Sequence, residues 1–169
     1  MTTRLRLGLS IGFAGLAALI GFAAPACSDG SRCGPSEASV ARVIDGDTIE
    51  LDSGERVRYL MIDTPESTTE TECWGEEAKA ANAALVDGQT IELRYDVECT
   101  DKYGRLLAYV SLDGQVINEL MVERGHACVL HIPPNGEDVV DRYEALEDSA
   151  RTSDPAKGLW AECDPAPCG

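Results

Sequence analysis

The chain has 169 residues, 44% hydrophobic and 26% charged, with 30 acidic against 14 basic side chains and a formal net charge of −16. That length suits one compact domain with short extensions. The charge excludes a protein held on nucleic acid by a broad basic surface, because polyanion binding normally rests on Lys and Arg displacing counterions.

Arg4 and Arg6 precede an uncharged run rich in Leu, Ile, Ala and Phe that ends in Ala24-Pro25-Ala26. This is the pattern of a secretory signal with an A-x-A cleavage site, so residues 1–26 are expected to be a signal peptide and the protein to be exported, to the extracellular space or the cell envelope. A retained membrane anchor is the alternative reading of the same run. Cleavage after Ala26 would make Cys27 the first residue, where bacterial lipoproteins are acylated, although Ala24 and Pro25 match the usual preceding residues poorly. Lipidation of Cys27, and membrane attachment through it, therefore stays one of two open outcomes. With Arg4 and Arg6 removed, twelve basic residues face thirty acidic ones, a formal charge of −18.

The chain has seven cysteines, and setting Cys27 aside leaves Cys33, Cys73, Cys99, Cys128, Cys163 and Cys168, enough for three disulfides. Spacing does not choose among the possible pairings. The cysteines are scattered and only His126 and His131 accompany them, which argues against a zinc site and for bridges in an oxidising compartment.

After a tether over 27–37, the segments "VARVI", "DTIEL" and "RVRYLMI" read as strands, punctuated by Asp45-Gly46 and "DSGE", a three-stranded meander. "GEEAKAANAALVDG" suits a helix stopped by Gly88, "TIELRYDV" and "RLLAYVSL" are strands, and Asp113-Gly114 makes a turn. "VINELMVERG" and "EDVVDRYEALEDSA" then carry apolar residues at helical spacing. The order βββαββαα predicts an α+β, mainly β domain over 38–162. It is a five-stranded OB-fold Greek-key barrel with about three helices, followed by a Cys-containing tail over 163–169. Such a barrel is a platform for oligonucleotides or oligosaccharides and does not fix a function.

Four short pieces carry the chemistry: "DGDT" at 45–48, Arg58, "DTPE" at 63–66 and "DKYGR" at 101–105. Hard divalent cations take oxygen ligands, so Asp47 and Asp63, with the Thr64 carbonyl, form a candidate Ca²⁺ site where the first and third strands end. Arg58 and Arg105 can grip phosphoryl oxygens bidentately and oppose charge growing in a five-coordinate transition state. Glu66, one Pro turn beyond Asp63, is placed to take a proton from water. Singly, each piece has an ordinary explanation as a turn or a surface ion pair.

Taken together, "VIDGDTIEL", "VRYLMIDTPE", "TDKYGRLLAYV" and "LWAE" resemble the staphylococcal nuclease, or thermonuclease, family over about residues 38–162. The resemblance implies a Ca²⁺-dependent nuclease on an OB-fold that cleaves DNA and RNA to leave 3′-phosphate ends. It implies Asp47, Asp63 and Thr64 as metal ligands, Asp45 and Glu66 as water-mediated ones, and Glu66 as the base. Arg58 and Arg105 would contact the scissile phosphate, Lys102 and Tyr103 a terminal phosphate and sugar, and Trp160 would be packing. No protein partner is implied.

The chain departs from the family in two places. "VLHIPPNG" at 129–136 puts Leu130, His131 and Ile132 where members present base-stacking tyrosines, which predicts weaker binding of short substrates. "ESTTETECWGEEA" is acidic where a lysine-rich loop would attract substrate, so encounter with a polyanion is expected to be slow and eased by salt. Cys73, Cys99 and Cys128 flank the motifs, and bridges among them are expected to brace the site. A catalytically inactive secreted OB-fold module binding Ca²⁺ or nucleic acid is the competing reading. Against it, gathering Asp47, Arg58, Asp63, Glu66 and Arg105 without metal or substrate costs stability.

Overall fold

The structure is a computed structural model that describes residues 33–68 and 70–168. The predicted signal peptide and the candidate lipidation site Cys27 lie outside the described residues. Five strands form a closed barrel: β1 (Glu37–Asp45), β2 (Thr48–Leu51), β3 (Arg56–Tyr59), β5 (Thr90–Thr100) and β6 (Leu106–Leu112). They run in the order β3-β2-β1-β5-β6, with antiparallel neighbours, and β3 closes on β6 in parallel register, Val57 opposite Leu106. This is the predicted OB-fold barrel.

Two-residue alternation builds the barrel wall. Ile91 and Leu93 of β5 are buried while Glu92 and Arg94 face outward, and Val57 and Tyr59 of β3 are buried on either side of the half-buried Arg58. Between β3 and β5, α1 (Gly75–Val86) packs on the barrel through Ala78, Asn82 and Val86, four residues apart on one face. After β6, the Asp113-Gly114 turn, both residues at positive φ, leads to β7 (Gln115–Val116) and then α2 (Ile117–Glu123). β8 (Cys128–Val129), α3 (Val140–Thr152) and the one-turn α4 (Leu159–Glu162) complete the domain. Among the described residues four helices stand where about three were predicted; the extra one, "LWAE", is too short for a periodic pattern to reveal.

The predicted strand over "RVRYLMI" does not run straight through. It stops at Tyr59, Met61 turns at φ +68°, and β4 (Ile62–Asp63) leaves the barrel to pair with β8, Ile62 opposite Val129 and Asp63 opposite Cys128. The corner is held by Asn118 of α2. Its Nδ2 donates to the Leu60 carbonyl at 2.9 Å, and its Oδ1 accepts the Val110 amide at 2.8 Å. A fully buried asparagine with its amide satisfied at both ends thus stops the strand where the acidic motif begins.

Among the described residues three disulfides form: Cys33–Cys99, Cys73–Cys163 and Cys128–Cys168. The expectation of bridges among Cys73, Cys99 and Cys128 is corrected, because each of them pairs with a cysteine from a terminal segment. The segment before β1 lies along β5, with the Leu93 amide donating to the Ser36 carbonyl and the Tyr95 hydroxyl to the Pro35 carbonyl, which carries Cys33 to Cys99. Cys163 directly follows α4, and its bond to Cys73 ties the end of α4 to the start of α1.

That start is pinned by a second contact. The Trp74 indole N–H donates to His126 Nδ1 at 3.0 Å, with the rings stacked at 6.1 Å. The acceptor must be unprotonated, and burial, aided by the Arg124 charge, lowers the His126 pKa. The native state therefore binds fewer protons than the unfolded chain just below the ordinary histidine value of about 6.5, so stability rises with pH through that window and is lost on acidification. Urea unfolding at pH 7.5 and pH 5 is expected to show this loss in the wild type. It should be smaller in His126→Gln, which keeps an acceptor and cannot titrate; an equal loss in both would place the acid sensitivity elsewhere.

Candidate active site

The β1–β2 turn and the segment after β4 meet edge to edge. A Cβ on Gly46 would fall 2.7 Å from Thr64 Oγ1 and 2.8 Å from its Cβ, so only glycine lets the two loops approach this closely. Asp47, at the turn's end, is buried. Its Oδ1 accepts the Thr48 hydroxyl at 2.9 Å and its Oδ2 the Thr64 amide at 3.0 Å. Asp45 accepts the Gly46 amide at 2.9 Å and the Ser67 hydroxyl at 3.0 Å. Asn82 of α1 donates to the Asp45 carbonyl and accepts the Tyr59 hydroxyl, both at 3.1 Å.

Arg58 projects from β3 into this junction with its side chain 13% exposed. One terminal nitrogen donates to the carbonyls of Tyr59 at 3.0 Å and Ile62 at 2.7 Å; the other reaches Asp63 Oδ1 at 2.6 Å and Asp47 Oδ2 at 3.1 Å. The guanidinium is thus oriented by backbone and shared by two carboxylates. The Asp63 carboxyl is nevertheless raised above its ordinary pKa, because burial, joined by the charges of Asp47, Glu72 and Asp45, outweighs the pull of Arg58. Glu66 is also raised, by burial and then by the neighbouring Asp45 charge, the direction that suits a proton acceptor working near neutrality. A Cβ on Gly75 would fall 2.3 Å from the Glu66 carbonyl, and the Glu66 amide donates to Glu72 at 2.9 Å, so the start of α1 fixes the backbone that carries this carboxylate.

Arg105 approaches from the β5–β6 turn. Asp101 accepts the amides of Tyr103 at 2.9 Å and Arg105 at 3.0 Å, and the Arg105 Nε at 2.7 Å. Burial opposes ionisation of Asp101, yet these donors hold its pKa below the ordinary value. Lys102 and Tyr103 stand at the exposed tip, with the Lys102 ammonium 5.0 Å and the Arg105 guanidinium 5.6 Å from the Tyr103 ring centre.

Two cavities share Arg58 and Arg105. The smaller, about 310 Å³, is walled by Asp45, Asp47, Arg58, Asp63, Glu66 and Arg105. The larger, about 880 Å³, adds Lys102, Tyr103, Leu60, Leu107, Leu130 and Ile132. The catalytic and phosphate-binding candidates from the sequence therefore converge, with Leu130 and Ile132 forming the aliphatic wall. Thr64 lies behind Asp47, buried, and His131 points to Glu137 at 3.9 Å rather than into the larger cavity. Sequence reasoning missed Asn82, Asn118, Ser67 and Glu72. Asn82 left one signal, a polar residue on the apolar stripe of α1.

Among the described residues, no three carboxylate, imidazole or thiol side chains close into a metal cage. The site offers Asp47 and Asp63 joined at one Arg58 nitrogen, Asp45 and Glu66 on the same wall, and a buried Thr64 hydroxyl without a hydrogen-bond partner. This all-oxygen set fits a hard cation that retains part of its water shell and displaces Arg58 from the carboxylates.

The family model described as staphylococcal nuclease homologue matches residues 56–162, which include Arg58, Asp63, Glu66 and Arg105. The chain is 35% identical over 133 residues to the SPbeta prophage-derived endonuclease YokF of Bacillus subtilis (strain 168), covering 75% of this chain and 44% of that protein. It is 36% identical over 128 residues to endonuclease YncB of the same organism, covering 72% and 60%. With a thermonuclease of Staphylococcus intermedius it shares 38% identity over 126 residues, covering 71% and 72%. It thus spans about half the length of the two Bacillus proteins.

Proposed function

The chain belongs to the staphylococcal nuclease homologue family, and from that premise we propose that it hydrolyses phosphodiester bonds of DNA and RNA, leaving 3′-phosphate ends, with Ca²⁺ as cofactor. One observation carries the reading: Arg58 and Arg105 stand at the junction of an acidic cavity and a nucleotide-sized one, with Glu66 on the acidic wall.

The substrate nucleotide occupies the larger cavity against Leu130 and Ile132, with Lys102 and Tyr103 on its outer phosphate and sugar. Arg58 and Arg105 grip the scissile phosphate between the cavities and oppose the charge that accumulates on its oxygens. Glu66 takes a proton from the attacking water as its oxygen bonds to phosphorus; the bond to the 5′-oxygen breaks, and that oxygen recovers a proton from solvent. Asp47 and Asp63 with the Thr64 carbonyl and, through water, Asp45 and Glu66 would hold Ca²⁺, which when bound would supply positive charge beside the phosphate. Three disulfides accord with an exported protein, with the signal over 1–26 and Cys27 as a lipid-attachment point part of the same proposal.

The test is cleavage of single-stranded DNA and RNA by the oxidised protein with Ca²⁺ or EDTA. Glu66→Ala is expected to lose about 10²–10⁴ in kcat and Arg105→Ala about 10²–10³. Products should end in 3′-phosphate. A folded protein that binds Ca²⁺ without turning over would instead be a binding module.

A further inference from the structure

We propose a second nucleotide subsite beyond Asp63, in which Arg151 and Trp160 hold the nucleotide on the opposite side of the scissile phosphate from the one in the larger cavity. The proposal rests on the nuclease reading and says where the polymer continues.

A third cavity of about 500 Å³ is lined by Asp63, Leu130, Arg151, Trp160, Ala166 and Cys168, among others. Its size is in the range of small-ligand sites. Asp63 also walls the acidic cavity, and Leu130 also walls the larger one, so the three depressions adjoin around the scissile position. Arg151, in the last turn of α3, holds its guanidinium 4.9 Å from the centre of the Trp160 ring. Among the described residues it makes no ion pair, in a chain with 30 acidic side chains.

Glu147, also on this wall, is turned to accept the Val129 amide at 2.8 Å. The indole N–H of Trp160 is buried and has no hydrogen-bond partner among the described residues. A guanidinium without a carboxylate partner, lying over an indole, is a pair that single-stranded nucleic acid uses, a cation for phosphate and a planar stack that a base can extend. The Cys128–Cys168 bridge builds the far wall, and Cys128 is the residue opposite Asp63 in the β4–β8 ladder. The subsite is thereby registered to the acidic motif.

The experiment compares kcat/KM for a short oligodeoxynucleotide and for a thymidine phosphodiester truncated to a methyl group on the proposed side. The variants are Arg151→Gln and Trp160→Leu. In each, the ratio of oligonucleotide to truncated substrate is expected to fall about tenfold, the scale of one lost stacking contact. Arg151 is exposed at a helix end, so Arg151→Gln keeps the test decisive where Trp160→Leu unfolds. An unchanged ratio in folded variants, with the wild type cleaving both substrates, overturns the subsite alone. A wild type that cleaves neither substrate with Ca²⁺ present overturns the nuclease reading and the subsite with it.

Discussion

Replacing Arg58 with alanine is expected to lower turnover by about 10²–10³ while raising the affinity for Ca²⁺. The two effects have opposite signs because the guanidinium faces two ways. Toward substrate it would supply charge to the phosphate; toward the protein it occupies oxygens of Asp47 and Asp63 that a cation would use. Removing it frees both carboxylates and leaves their charges closer to uncompensated. Breaking a fully buried pair costs about 3–5 kcal/mol. The Asp63 side chain is 50% exposed and water screens it, so the stability loss here should be about 1–3 kcal/mol.

Arg58→Lys should recover little turnover, since a point charge cannot reach two backbone carbonyls and two carboxylates as the planar fork does. Calorimetric titration with Ca²⁺ beside initial-rate measurements separates the roles. If turnover and Ca²⁺ affinity fell together in Arg58→Ala, the arginine would be a scaffold for the metal ligands and not a phosphate contact.

The double variant Cys73→Ser/Cys163→Ser is expected to lose about 2–4 kcal/mol of stability, roughly a 5–15 °C fall in Tm for a domain of this size. This bridge spans 90 residues, against 66 for Cys33–Cys99 and 40 for Cys128–Cys168. Loop closure depends only logarithmically on length, so the three should differ by less than about 1 kcal/mol. Thermal melts in EDTA, which keeps cation binding from adding stability to the native state, measure the effect for each pair in turn. A melt unchanged by loss of the 73–163 bridge would mean that the bond adds nothing to the stability of the folded domain.

The parts of the fold that depend on near neighbours were legible in the chain. Ile91 and Leu93 declare β5 by alternation, and Asp113-Gly114 declares its turn. The spacing of Arg58, Asp63 and Glu66 put the charged groups on one edge. Contacts between distant segments were not legible. Tyr59-Leu60-Met61-Ile62 is apolar throughout, so nothing local shows that the strand breaks there; the break depends on Asn118, which follows by nearly sixty residues. Disulfide pairing depends in the same way on where the segment before β1 runs. The sequence offered Arg58 as a phosphate ligand or a surface ion-pair partner, whereas the side chain is largely buried and held by two backbone carbonyls and two carboxylates.

The Cys33–Cys99 bond has a mechanical consequence. Tension on the chain upstream of Cys33 passes through the cross-link into the far end of β5, the longest strand of the barrel. Without it, the same pull would enter at β1 and open the β1–β2 and β1–β5 ladders from the end, one hydrogen bond at a time. With it, β1 hangs slack between Cys33 and its partners, and the load falls on β5 in shear against both neighbours. A tethered copy should therefore resist stretching far better oxidised than reduced; on reduction the β1–β5 ladder, which pairs Glu37 to Ser39 nearest the pull, fails first, and the β1–β2 ladder, whose turn carries Asp45 and Asp47, follows.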